Sequence, residues 1–582
     1  MTSERAPSSE PAEGRSAEGW LAGLLLVGSG LHFLGGNIAD PDLWGHIRYG
    51  EMILDGHGLP REDVFSYSAP GAAFYDHEWL SDVVIAALYR LGGSAALVVF
   101  KLLLSAALIA LLIDAARSVG RLLWKSESLR PLTVALVLIP VLAVIHPGAS
   151  FRPQLFTMLF LALEGALLAR ADLRMTLPPA DGAARRSRVG WELAVLPPLL
   201  LVWANLHGGF LVGLGIFGLF GGAVAVRAWL PLLRANTSER SDAATPPATR
   251  DAPTPTATSD APTIATKDVV MVGAIVVLAV LAPLVNPYGV ELYTYLGATL
   301  DMHDEISEWH PVTLFSTAFL RFKLLVLASA IAAAGLWWCR SSLSHLSRAL
   351  DWRVPSLAVA ALYAFRHQRH TVLFAEVAAP LLIVAAEEAC RRLVAQRPEL
   401  FTPRSLVRRI CAVGFVAVAV FQIGAYANQV RRDGLEIRFG RLDYPVDAVE
   451  FLRAHGIGGN VAFPFEWGAY AIRELAPKAR VFIDGRFEAV YPPRVIEDYF
   501  AFSNGREGWE RLLDDYPTEV VVVQRWRNIH PRLFARPDLQ YVYSDPASLI
   551  FVRRTDTNAE ALDRLASLDD RSVFARRDTY LP

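Results

Sequence analysis

The chain has 582 residues, 53% hydrophobic and 20% charged, with a mean hydropathy of +0.31 and a formal net charge of −2. Soluble domains carry about 25% charge, and here the apolar residues fall in long blocks such as 95–113, 269–285 and 412–423, which excludes a soluble globular enzyme. The charge balance points to no nucleic-acid partner, and Cys339, Cys390 and Cys411 have the spacing of neither a zinc site nor a disulfide framework.

Taken in chain order, the first element is a polar tail, 1–19, with Glu4, Glu10, Glu13 and Glu18 against Arg5 and Arg15. No small-residue cleavage site follows it, so the next apolar run is read as a retained span. Hydropathy predicts about 11 spans: 20–37, 95–116, 131–146, 154–170, 192–205, 209–228, 268–285, 322–339, 354–366, 371–388 and 408–427. The predicted fold is mostly α, a polytopic transmembrane helix bundle over 20–430. Basic residues cluster after every even-numbered span: Arg117, Arg121, Lys125 and Arg130; Arg170, Arg174, Arg185, Arg186 and Arg188; Arg227, Arg234, Arg240, Arg250 and Lys267; Arg340, Arg348 and Arg353; Arg391, Arg392, Arg397 and Arg404. The positive-inside rule then sets the N-terminus inside and the C-terminus outside. Residues 235–267, rich in Pro, Thr, Ala and Ser, read as a disordered cytoplasmic loop. Residues 440–555 mix charge with short β-rich runs (460–463, 480–483, 519–523, 539–543, 549–552) and helical stretches such as 446–454 and 493–500, the pattern of a small extracytoplasmic α/β domain. A polar tail, 556–582, follows.

Ionisable residues at span ends are the informative ones in a membrane protein. The first outer loop, 38–94, carries Asp40-Pro-Asp-Leu-Trp-Gly-His-Ile-Arg48 and Tyr75-Asp-His-Glu-Trp-Leu80. Asp42 and His46 are four apart and share a helix face. They could handle a proton or bind a divalent ion, Mg²⁺ or Mn²⁺. The plainer alternative is that Asp42 caps a helix over 43–54. Asp76, His77 and Glu78 precede an amphipathic stretch, 79–91, that meets Gly92-Gly93 and reads as an interfacial helix; capping is again the alternative. Further polar span ends are Arg152-Pro-Gln154, Asn205-Leu-His207, Ile306-Ser-Glu-Trp309 and Arg366-His-Gln-Arg-His370. The last is a cationic turn suited to an anion, or to lipid headgroups. Arg480-Val-Phe-Ile-Asp-Gly-Arg486 sets Asp484, Gly485 and Arg486 just after a strand, a ligand position or a structural turn. No midplane acidic run and no pair of broken helices marks an ion-coupled transporter.

Asp42-Leu-Trp-Gly-His-Ile-Arg48, followed by Gly-Glu-Met-Ile-Leu54, Pro60 and Phe65-Ser-Tyr-Ser-Ala-Pro-Gly71, resembles the first outer loop of oligosaccharyltransferase catalytic subunits. These are class C (GT-C) membrane glycosyltransferases, which use polyprenyl-phosphate-linked sugars. The pattern is also similar to bacterial glycosyltransferase-like membrane proteins with Asp-x-Trp-x-His…Glu-Trp-Leu. Where the family has a second acidic pair, after the third span, this chain reads Ser150-Phe-Arg-Pro-Gln154. The resemblance implies sugar transfer from a lipid-linked donor to a glycan, lipid or protein acceptor, at the outer face of a bacterial cytoplasmic membrane. It implies Asp42 as base, with Asp40 and His46 beside it and Asp42 and His46 as the candidate metal pair. Arg366, Arg369 and His367 would meet the phosphate, and Glu308, Glu78 and Trp467 the acceptor. A transporter or flippase of a lipid-linked sugar, or a membrane scaffold, are the competing readings.

Overall fold

The computed structural model describes residues 12–124, 129–176, 188–242, 264–299, 306–338, 352–402, 405–440, 442–566 and 580–581. Among these, eight helices are long and apolar enough to cross a membrane: 17–34, 79–124, 131–148, 154–176, 210–229, 266–284, 320–337 and 406–433. The other three expected spans are also helical. Trp191–Leu206 is a shorter apolar segment. Arg353–Arg366 and Thr371–Gln396 fall outside the eight, the first short and the second carrying Glu376 and Glu387. Most of the 235–267 segment, Lys125, Arg185, Arg186, Arg250, Arg340, Arg348 and Arg404, and the first residues of the chain lie outside the described residues. The segment's start continues the helix Phe210–Asp242.

The bundle is organised around Thr371–Gln396, which packs against Pro131–Ile145, Leu320–Trp338, Arg353–Arg366 and Trp79–Trp124. Its face from Thr371 to Val384 is largely buried. Arg227 and Arg353 converge on the buried Asp172, at 2.7 and 2.8 Å, and tie three helices together. The helix Trp79–Trp124 bends at Gly92 and Gly93, where the backbone leaves helical geometry. Gly93 takes φ 60°, a conformation that glycine adopts without the steric cost of a side chain. The amphipathic stretch and the second span thus meet at this break, where the sequence set it.

The C-terminal domain holds a five-stranded sheet in the order Ala479–Val481, Gly459–Ala462, Val520–Gln524, Ser548–Arg553, Leu539–Ser544. The first three strands are parallel and the remaining pairings antiparallel. Val520–Val523 is the apolar strand, buried throughout, that a sheet covered on both faces requires. Two features extend the domain past 555. Ala559–Ala566 is a helix with Leu562 and Leu565 buried, and Tyr580–Leu581 pairs with Ile437–Arg438.

The loop after the first membrane helix and this domain share one core. Tyr67 N donates to Val481 O at 3.1 Å and Val481 N to Phe65 O at 2.9 Å, so the loop adds itself to the sheet edge. Trp44, 1% exposed, meets Phe439, Tyr444 and Tyr470 edge-on. Burying such aromatics is worth roughly 1.5–3 kcal/mol each, enough to fix the domain on the loop.

Candidate functional site

The helix Leu43–Leu54 begins where expected, with Asp42 just ahead of it. Asp42 makes no side-chain capping bond. Its carboxylate turns instead to Arg152, whose Nη2 is 3.2 Å from Asp42 Oδ2. The same guanidinium reaches Asp40 Oδ1 through Nε at 2.5 Å and Glu308 Oε2 through Nη1 at 3.2 Å. Asp40 Oδ1 also accepts the Asp42 backbone N–H at 3.1 Å, which fixes the turn. Glu308 continues the chain to Arg369 Nη1 at 3.7 Å, and Arg369 lies over the Trp309 ring at 4.6 Å. His367 Nδ1 is 2.9 Å from Trp309 O. Four segments distant in sequence thus meet in one alternating series of charges.

Burial pushes the Asp42 carboxyl up from its ordinary value; Arg152 opposes this, and Asp40 and Glu308 add to it. Its side chain is still 34% exposed, so an acceptor can reach it. Burial disfavours the charge on Arg152, but Asp42, Asp40 and Glu308 together outweigh that and hold it firmly protonated.

A second cluster adjoins the first. Glu78 Oε1 lies 3.4 Å from His207 Nε2 and 3.7 Å from His77 Nε2. Burial raises Glu78, whose charge also senses His46, Arg369, Asp42 and Arg152, and burial lowers His77 to about 4. His46 Nδ1 pairs with Asp82 Oδ1 at 2.7 Å. Asp42 and His46, set on one helix face by their spacing, are thus each engaged with another partner, Arg152 and Asp82 respectively. Among the described residues, no group of three His, Cys, Asp or Glu side chains could hold a metal ion. Asp40, Asp42 and Glu308 do converge, but on the Arg152 guanidinium, whose positive charge occupies the point the three carboxylates share.

Other sequence candidates separate. Arg366 closes its helix with an exposed side chain, while Arg369 and His367 turn toward Glu308 and Trp309. Trp467 departs from its expected acceptor role. It is 1% exposed, and its Nε1 donates to Asp443 O at 2.7 Å, because the helix Phe465–Leu475 turns its apolar face into the core.

Arg152, His207 and Asp484-Gly485-Arg486 stand out in the sequence without a role that ties them to this site, and Asp82 and Asp63 do not stand out at all. Arg486 bridges Asp484 and Asp63, each at 2.6 Å, with all three side chains buried. This pairs the strand-end turn of the C-terminal domain with the first loop. Gly485, between the two, passes against Asp42. For Arg152, the one local signal was an arginine ahead of a proline at a span start, in the segment where the resemblance expects acids.

No family model matches the chain, and no curated protein matches its sequence. Solved structures do match its fold. The apo oligosaccharyltransferase of Archaeoglobus fulgidus aligns with a TM-score of 0.52 at 11% identity, over 87% of this chain and 69% of its own. The oligosaccharyltransferase AglB of the same organism, in complex with an inhibitory peptide and a dolichol-phosphate, aligns at 0.51 and 10% identity with the same coverage. ArnT from Cupriavidus metallidurans, bound to undecaprenyl phosphate, aligns at 0.44 and 14% identity over 94% of this chain and 99% of its own. The likeness to the oligosaccharyltransferase structures is one of fold, and the resemblance seen in the first loop holds at that level: this is an integral membrane protein with a GT-C-like fold.

Proposed function

We propose that this chain is a membrane glycosyltransferase that moves a sugar from a polyprenyl-phosphate donor to a glycan, lipid or protein acceptor. The observation that supports it most is the Asp42 carboxylate, accessible, uncommitted to helix capping, and joined through Arg152 and Glu308 to Arg369. In this mechanism Asp42 takes the proton of the acceptor nucleophile as that atom attacks the anomeric carbon. A carbon–acceptor bond forms, the anomeric carbon–oxygen bond to phosphate breaks, and its electron pair leaves with the polyprenyl phosphate. Arg369, with His367 behind it and Arg366 at the helix end, balances the charge on the departing phosphate. Glu308, held between two guanidiniums, and Glu78 orient the acceptor. The reading sets the site on the face away from the basic clusters, the outer face of a bacterial cytoplasmic membrane.

The test is transfer of radiolabelled sugar from synthetic polyprenyl-phosphate donors to membrane acceptors by the reconstituted protein. Loss of one such stabilising contact costs on the order of 10²–10³ in rate. Arg369→Ala at that cost supports the reading; label that crosses the bilayer still attached to its lipid, with no transfer, supports a flippase instead.

A further inference from the structure

We propose that Arg152 is a built-in cation, its guanidinium taking the place that a divalent ion would otherwise fill among Asp40, Asp42 and Glu308. The inference rests on the transfer reading of Asp42, but the geometry behind it is independent of any substrate.

Three carboxylates from two segments point at one planar group, each within 3.2 Å, and each nitrogen of the fork takes a different partner. Such charge-assisted contacts are directional and strong. The position is otherwise a poor one for a cation. Arg152 stands just ahead of the N-terminus of Gln154–Thr176, where the helix dipole favours anions. Leu155 N donates back to Arg152 O at 3.0 Å, so the arginine belongs to the helix start itself. It is held against the dipole by the three carboxylates, and they are kept from mutual repulsion by it. A guanidinium here orients Asp42 as a coordinated metal would, without ligand exchange. Arg152 is thus a positioning residue: it acts through Asp42 and Glu308.

The test is Mn²⁺ titration of the full-length protein in nanodiscs, read by electron paramagnetic resonance, which needs neither donor nor turnover. Wild type is expected to bind no stoichiometric Mn²⁺. Arg152→Ala, which frees the three carboxylates, is expected to gain a bound ion that is lost again when Asp42→Asn is added. Arg152→Gln, closer in volume, repeats the test should the alanine variant fail to fold. Stoichiometric Mn²⁺ binding by wild type that Asp42→Asn abolishes would overturn the proposal, as would no gain in either variant. Failure of sugar transfer with these binding results intact would count against the activity and leave the built-in cation standing.

Discussion

Gly485 of the C-terminal domain lies against Asp42 of the first loop so closely that a methyl group on it would fall 2.5 Å from the Asp42 Oδ1. The next nearest atom, Asp42 Cγ, would be 3.6 Å away, and both belong to the same side chain. The domain therefore forms one wall of the site.

Gly485→Ala follows directly. The backbone there needs no positive φ, and the methyl group meets only a movable carboxylate, so the melting temperature should hardly change. Asp42 must shift, and a displacement near 1 Å costs on the order of 10²-fold in rate. Transfer assays beside thermal melts check this; a loss of melting temperature that parallels the loss of rate contradicts it.

The acid limb of the rate should report Asp42. A general base works deprotonated, so transfer falls as pH drops through its pKa. Burial raises that value above the ordinary 3.8, with Asp40 and Glu308 adding and Arg152 and His46 opposing. The limb should lie above pH 3.8 in wild type. Removing the opposing cation in Arg152→Gln, with chelator present, should move it to still higher pH. A limb that moves down, or not at all, counts against Asp42 as base.

The buried Asp63–Arg486–Asp484 triad should set the stability of the domain contact. Removing one member of such a pair costs roughly 3–5 kcal/mol, so Arg486→Ala should melt well below wild type. Burial alone would raise Asp484, but Arg486 and its hydrogen bonds outweigh this and hold it below 3.8. A depressed carboxyl contributes stability above its unfolded value and loses it as pH falls through the folded one. This contribution should be full in melts down to pH values near 3.8, then decline and disappear as pH falls through the lower folded value, and Asp484→Asn should remove that acid dependence.

Arg369→Lys keeps the charge but loses the planar group over Trp309. Donor affinity should weaken more than turnover slows. A purely structural role would lower stability with KM unchanged, which steady-state kinetics on a soluble-chain donor analogue separates.

Much of this was legible in the residues. Helical spacing located Leu43–Leu54, Gly92-Gly93 marked the bend, and β-rich runs found all five strands of the main sheet within a residue or two. The site's connectivity was not legible. Arg152 and Glu308, or Asp63 and Arg486, meet only because the bundle and domain close around them, and no local periodicity encodes a contact between such distant segments. Trp467 is ambiguous in the sequence, because an aromatic beside an acid looks the same whether it faces a sugar or, as is commoner in a small domain, a core. The helix Ala559–Ala566 hid in a polar stretch because only a narrow stripe of it is apolar.

The most direct test of the central claim is single-turnover transfer from a saturating polyprenyl-phosphate sugar, comparing wild type with Asp42→Asn at matched membrane content and donor occupancy. The asparagine cannot accept the acceptor's proton. The account predicts donor binding close to wild type and transfer reduced by at least about 10²-fold, the low end of what a positioned base contributes. Near-native transfer by Asp42→Asn would contradict it.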